Sequence, residues 1–162
     1  MKIILLLVCS LWANPSLTEI RALYVKASDS AETATTLMTK LAGVKDSGPV
    51  VLVGYKAAAI TLQAKQQKGA KQKKAKFKEG VDLLEKIITA HPNEIELRLI
   101  RLSIQENAPK LLKYRDEISA DKQFISTHFS SQKSKALKDH IRGYVLQSEA
   151  FSSQEKALFS ER

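Results

Sequence analysis

From Glu94 to Gln105 the polar residues Glu94, Arg98, Arg101 and Gln105 recur at i, i+4, i+7 and i+11, the interval that gathers side chains on one face of a helix. Two arginines in such a stripe present planar, forked donors that match carboxylates two bonds at a time. That chemistry is recognition rather than bond-making. The stripe is a candidate surface for the carboxylates of a protein or peptide partner. A second reading of the same residues is internal: Arg98 pairs with Glu94 one turn earlier, and Arg101 pairs with Asp116 or Asp121, fastening two helices. Asp121 lies between Ile118 and Ile125, which puts its carboxylate at the core margin. There it needs a cation, Arg101 or Arg98, because a buried unpaired charge is very costly.

The other charged feature runs from Lys65 to Lys78, which holds seven lysines and no acid. Within it Lys68, Lys71, Lys73, Lys74 and Lys76 form a candidate patch for an anionic envelope surface or lipid headgroups, an attraction that salt would weaken. The alternative is a solvated helix surface. Phe77 is the one aromatic residue nearby and no nucleic-acid-binding module is recognisable, so a nucleic-acid partner is not expected.

Bond-making chemistry finds no foothold. His-Glu-x-x-His, Gly-x-Ser-x-Gly and the phosphate-loop pattern are absent, and Cys9 is the sole cysteine. His91, His128 and His140 stand far apart in sequence. The expectation is a non-enzymatic protein without a metal or cofactor, of unspecified oligomeric state.

These residues must be positioned by helices. Apolar residues recur at helical spacing almost throughout, and alternating strand-like runs are nearly missing. Helices are expected from Ser16 to about Ala27, from about Ser30 to Gly43, and from Val50 to about Gln66, the last apolar on nearly every side and therefore buried. Gly54 and Ala57 to Ala59 keep its bulk low. The lysine-rich stretch either extends helices or loops between them. Beyond it Phe77, Gly80, Val81, Leu84, Ile87 and Ile88 form one stripe that Pro92 ends. Asn93 is a candidate cap for the next helix, with Glu96 three residues on as its capping-box partner. That helix, about 94 to 106, carries Ile95, Leu99 and Leu102 on one side and Leu97, Ile100 and Ile104 on a neighbouring one. Leu112 to Phe129 and about 133 to 148 supply the rest. The sum is an all-α domain of six or seven antiparallel helices over residues 14–148, followed by a polar tail at 149–162.

Length and composition agree with one domain: 162 residues, 44% hydrophobic and 27% charged, with six glycines and four prolines. The formal net charge of +9 favours anionic partners and excludes nothing about the fold. Lys2 followed by Ile3 to Val8 reads as the start of an export signal, too short to span a bilayer. Cleavage is expected after Ala13. In the rival reading, Leu6 to Cys9 is a lipoprotein box and Cys9 is acylated.

Phe77, Gly80, Leu84, Ile87 and Pro92 have the spacing of the second helix of a tetratricopeptide repeat, with Gly80 where that family usually has alanine. Residues 50 to about 106 resemble one and a half such repeats, although the lysine-rich insert lengthens the hairpin beyond the family's period of about 34 residues. The resemblance implies helical hairpins in a small bundle, with Arg98, Arg101 and Gln105 on a concave, partner-binding face that Lys56 and Gln63 of the earlier helix also line. The whole chain also resembles small exported helical proteins of Gram-negative bacteria, which implies the periplasm or cell envelope.

Overall fold

A computed structural model describes residues 14–160; residues 1–13, with the expected export signal and Cys9, lie outside them. Among the described residues the chain is all-α, with eight α-helices and no strand: α1 Leu17–Ala27, α2 Ala31–Leu41, α3 Val50–Gln63, α4 Ala70–Ala90, α5 Ile95–Asn107, α6 Ile118–His128, α7 Lys135–Gln147 and α8 Ser153–Ser160. No described helix is long and apolar enough to cross a membrane.

The centre is α3, buried from Leu52 to Thr61 except at the half-buried Lys56 and packed against α1, α2, α4 and α5. Such close packing from four sides needs small residues. Gly80 of α4 meets α3 where a Cβ would lie 2.6 Å from the Ala57 carbonyl oxygen and 2.8 Å from the Thr61 nitrogen. Backbone cannot step aside as a side-chain end can. This close approach is why glycine stands at position 80. Gly80→Ala is therefore expected to destabilise by about 1–3 kcal/mol through overpacking, despite alanine's higher helix propensity. At Gly143 of α7 an added Cβ would meet nothing within 4 Å, so Gly143→Ala is expected to stabilise by up to ~1 kcal/mol. Urea midpoints of the two variants should move in opposite directions.

Two apolar clusters share α5. Leu97, Ile100 and Ile104 join the core formed with α1 to α4, while Ile95, Leu99 and Leu102 join Ile125, Phe129, Ile141 and Val145 from α6 and α7. A helix used on both sides has little solvated face left. From Ile95 to Gln105 only Arg98 is not fully buried.

Three expectations need correction. The helix count is eight rather than six or seven, because the stretch expected to be a polar tail contains α8. Phe159 is 1% exposed and Phe151 3%, and the Phe159 ring packs on both Phe129 and Phe151. The sequence signal for this helix is Ser152-x-x-Glu155, a capping box in which Glu155 accepts from the Ser152 N–H at 2.7 Å and Ser152 Oγ accepts from the Glu155 N–H at 3.3 Å. The α5 cap is Glu94 rather than Asn93, its side chain accepting from the Glu96 N–H at 3.3 Å. Glu96 does not close a capping box, since a guanidinium from α1 holds its carboxylate inside the fold.

The lysine-rich stretch resolves into both of its alternatives. Ala64–Gln66 is a short 3-10 turn, Gly69 takes the left-handed φ of 88° that suits glycine, and the lysines from Lys71 onward ride on α4.

Candidate functional site

The arginine stripe is reached from the helices outward. Arg101 is 4% exposed and forks onto Asp121 of α6, with Nε to Oδ2 and Nη2 to Oδ1 both at 2.7 Å. Its Nη1 donates to Glu85 of α4 at 2.9 Å. Gln105 is buried beside it, donating to Asp121 at 3.3 Å and accepting from the Glu117 N–H at 2.9 Å. Arg98 donates to Asp121 at 3.3 Å and to the Pro92 carbonyl at 3.2 Å, and its guanidinium lies 5.2 Å from the centre of the Phe124 ring. Burial pushes the Asp121 carboxyl above its ordinary value, and the arginines pull it back. The pairing of Arg101 with Asp121 expected from the sequence is thus present, and it ties α4, α5 and α6 together.

Lys56 is elsewhere, donating to the Val44 carbonyl at 2.7 Å and to Asp46 at 3.0 Å. The structure therefore brings Arg98, Arg101 and Gln105 together around Asp121 and leaves Lys56 apart. Arg101 and Gln105 offer no solvent-facing surface to a partner.

A second buried network begins on α1. Arg21 forks onto Glu96, with Nε to Oε1 at 2.6 Å and Nη2 to Oε2 at 2.5 Å. The Tyr55 hydroxyl donates to Glu96 Oε1 at 2.8 Å and stands 3.0 Å from His140 Nε2 of α7. Since that hydroxyl proton points to Glu96, His140 Nε2 carries the proton in the Tyr55 contact. Burial holds His140 below its ordinary pKa of 6.5, which keeps the ring neutral at neutral pH. The chain of bonds links α1, α3, α5 and α7.

Where the two halves of the molecule part, around the C-terminal half of α5, they enclose an open groove of about 1600 Å³. Its apolar surface comes from Val25, Leu62, Phe77, Ile104, Leu111 and Tyr144, with His140 at the α7 wall. Leu111 is 89% exposed and Val25 56%. At the floor Glu106 takes hydrogen bonds from the Tyr144 hydroxyl, from Ser148 Oγ at 2.8 Å and from the Ala150 N–H at 2.9 Å. That leaves it saturated by the fold.

One wall is basic. Lys71, Lys73 and Lys74 line the groove from the first turns of α4, and none has an acidic partner among the described residues. Cations there run against the helix macrodipole, whose positive end is the N-terminus. The other expected patch residues separate from them: Lys76 pairs with Glu79 at 2.8 Å, and Lys68 lies in the turn before α4, outside the groove lining. No periodicity along the chain announces the groove. Its only sequence trace is the lysine run next to Phe77.

Among the described residues no three His, Cys, Asp or Glu side chains gather to hold a metal ion. No family model, curated protein or solved structure matches the chain.

Proposed function

We propose that the protein is a non-enzymatic interaction module whose groove receives a segment of a protein partner in the periplasm or cell envelope. The groove carries this reading. It is larger than the ~300–1,000 Å³ of ordinary small-molecule sites, open, largely apolar, and edged by the exposed side chains of Val25 and Leu111. The tetratricopeptide-like spacing of Phe77 to Pro92 supports a partner-binding module, with the groove beside Phe77 in place of the arginine stripe that the fold turns inward. Export rests on the residues from Lys2 to Ala13.

The test is a photo-crosslinking residue placed at Leu111 and, separately, at Thr36 on the exposed face of α2. In cells, Leu111 should crosslink one defined protein that also binds as a purified pair, and Thr36 should not. Equal labelling from both positions would sink the groove as a binding site. A second reading follows from the unpaired lysines: contact with anionic lipid or polysaccharide through Lys71, Lys73 and Lys74. It expects salt-sensitive capture on such surfaces and indifference to Leu111→Asp.

A further inference from the structure

Resting on the reading of the groove as a partner site, we infer that its occupant is an acidic amphipathic helix. The volume is the first argument. A helix is about 10–12 Å across and rises 1.5 Å per residue, so about 1600 Å³ holds roughly three to four turns. Helix-in-groove recognition uses an apolar stripe of that length.

The charge is the second argument, and it gives the helix its sign. Among the acids lining the groove, Glu106 is saturated by Tyr144, Ser148 and Ala150, and Asp139 is held by Lys135 at 2.6 Å and Arg142 at 2.9 Å. Glu149 alone remains against Lys71, Lys73 and Lys74. Arg115 does not add to the free donors, since its Nε and Nη2 go to the Gln105 and Glu106 carbonyls at 3.1 and 2.7 Å. Lys65 donates to the Ser28 carbonyl at 3.1 Å, which leaves its charge uncompensated on the same side. The α4 wall therefore holds a one-sided positive field beside an apolar floor. A helix with leucines at i, i+3, i+4 and i+7 and carboxylates along one flank satisfies both at once. Its apolar stripe covers Val25, Leu62 and Leu111, and its carboxylates meet the lysines.

The experiment uses two synthetic amphipathic helices with one leucine stripe in common, flanked by glutamates in one and by lysines in the other. Binding to the full chain is read by fluorescence anisotropy at low and moderate salt, with vesicles of anionic phospholipid in parallel. The acidic peptide should bind at least about tenfold more tightly than the basic one, a gap of ~1.4 kcal/mol that salt narrows. The combined Lys71→Glu, Lys73→Glu and Lys74→Glu variant should reverse the preference, and Leu111→Asp should weaken both peptides. These positions are exposed, so the variants keep the fold, which circular dichroism checks. Equal binding of both peptides, lost in Leu111→Asp, would overturn the acidic helix and leave the groove as the partner site. Binding of neither peptide would overturn both readings, and lysine-dependent capture on the vesicles in that case would assign the wall to a membrane surface.

Discussion

Arg101→Met is expected to lower the unfolding free energy by about 3–5 kcal/mol, the usual cost of removing one member of a buried charge pair. Asp121 has no exposed surface, and Arg101 supplies both of its 2.7 Å bonds. What remains is Arg98 and Gln105, each at 3.3 Å. Methionine roughly replaces the apolar stem, so the loss comes from the charge and its hydrogen bonds rather than from a cavity. The variant carboxyl, without its main cation, has a folded pKa still further above the ordinary 3.8. A folded state that binds the proton more tightly than the unfolded state loses stability as pH rises through that window. The deficit should thus be largest at neutral pH and shrink towards pH 4. Urea denaturation across that range measures it. A double-mutant cycle with Asp121→Asn that returned no coupling would remove the pair from the account of the fold.

The second large effect is expected at the other buried fork. Arg21→Met leaves Glu96, whose side chain is 2% exposed, with the Tyr55 hydroxyl as its remaining side-chain donor at 2.8 Å. Glu96 sits in the first turn of α5, where the macrodipole gives a carboxylate some shelter. The cost is accordingly set at about 3 kcal/mol, the lower end for a broken buried pair. For a domain of this size that corresponds to a fall in Tm of roughly 6–12 °C. Arg21→Lys should recover only part of it, since an ammonium cannot fork onto both oxygens. Calorimetry showing an unchanged Tm for Arg21→Met would remove the Arg21–Glu96 fork from the account of the fold's stability. The two networks are independent tests, because one ties α1 and α7 to the centre and the other ties α4 to α6.

Much of the architecture is legible along the chain. The two faces of α5 are written in its sequence: Leu97, Ile100 and Ile104 fall to the first core, and Ile95, Leu99 and Leu102 to the second. The buried centre is equally plain in Val50 to Gln63, where apolar residues appear on every side. The same periodicity leaves the arginine stripe open between a partner face and an internal fastening of two helices, and the packing around α5 decides for the second at Arg101 and Gln105. A polar stripe on a helix reads as solvated whenever the helix is assumed to have one buried side, and α5 has no open one at Arg101 and Gln105. Ser152-x-x-Glu155 is a start signal for α8, but the two isolated phenylalanines beside it make no helical stripe.

Up to α7, the helical stretches can be read along the chain, because side-chain spacing, Pro49, Pro92 and the glycine turns act through backbone geometry within a few residues. The tertiary structure alone decided which polar groups are inside and where a surface is left uncovered. Arg21 meets Glu96 across 75 positions and Arg101 meets Asp121 across 20. The groove lies where the two cores joined through α5 part, at its C-terminal end, where Glu106 and Asn107 are no longer buried. Spacing along one helix carries no information on what lies opposite it; burial and pairing are set by the packing of distant helices, and the groove's shape and charge follow from that packing.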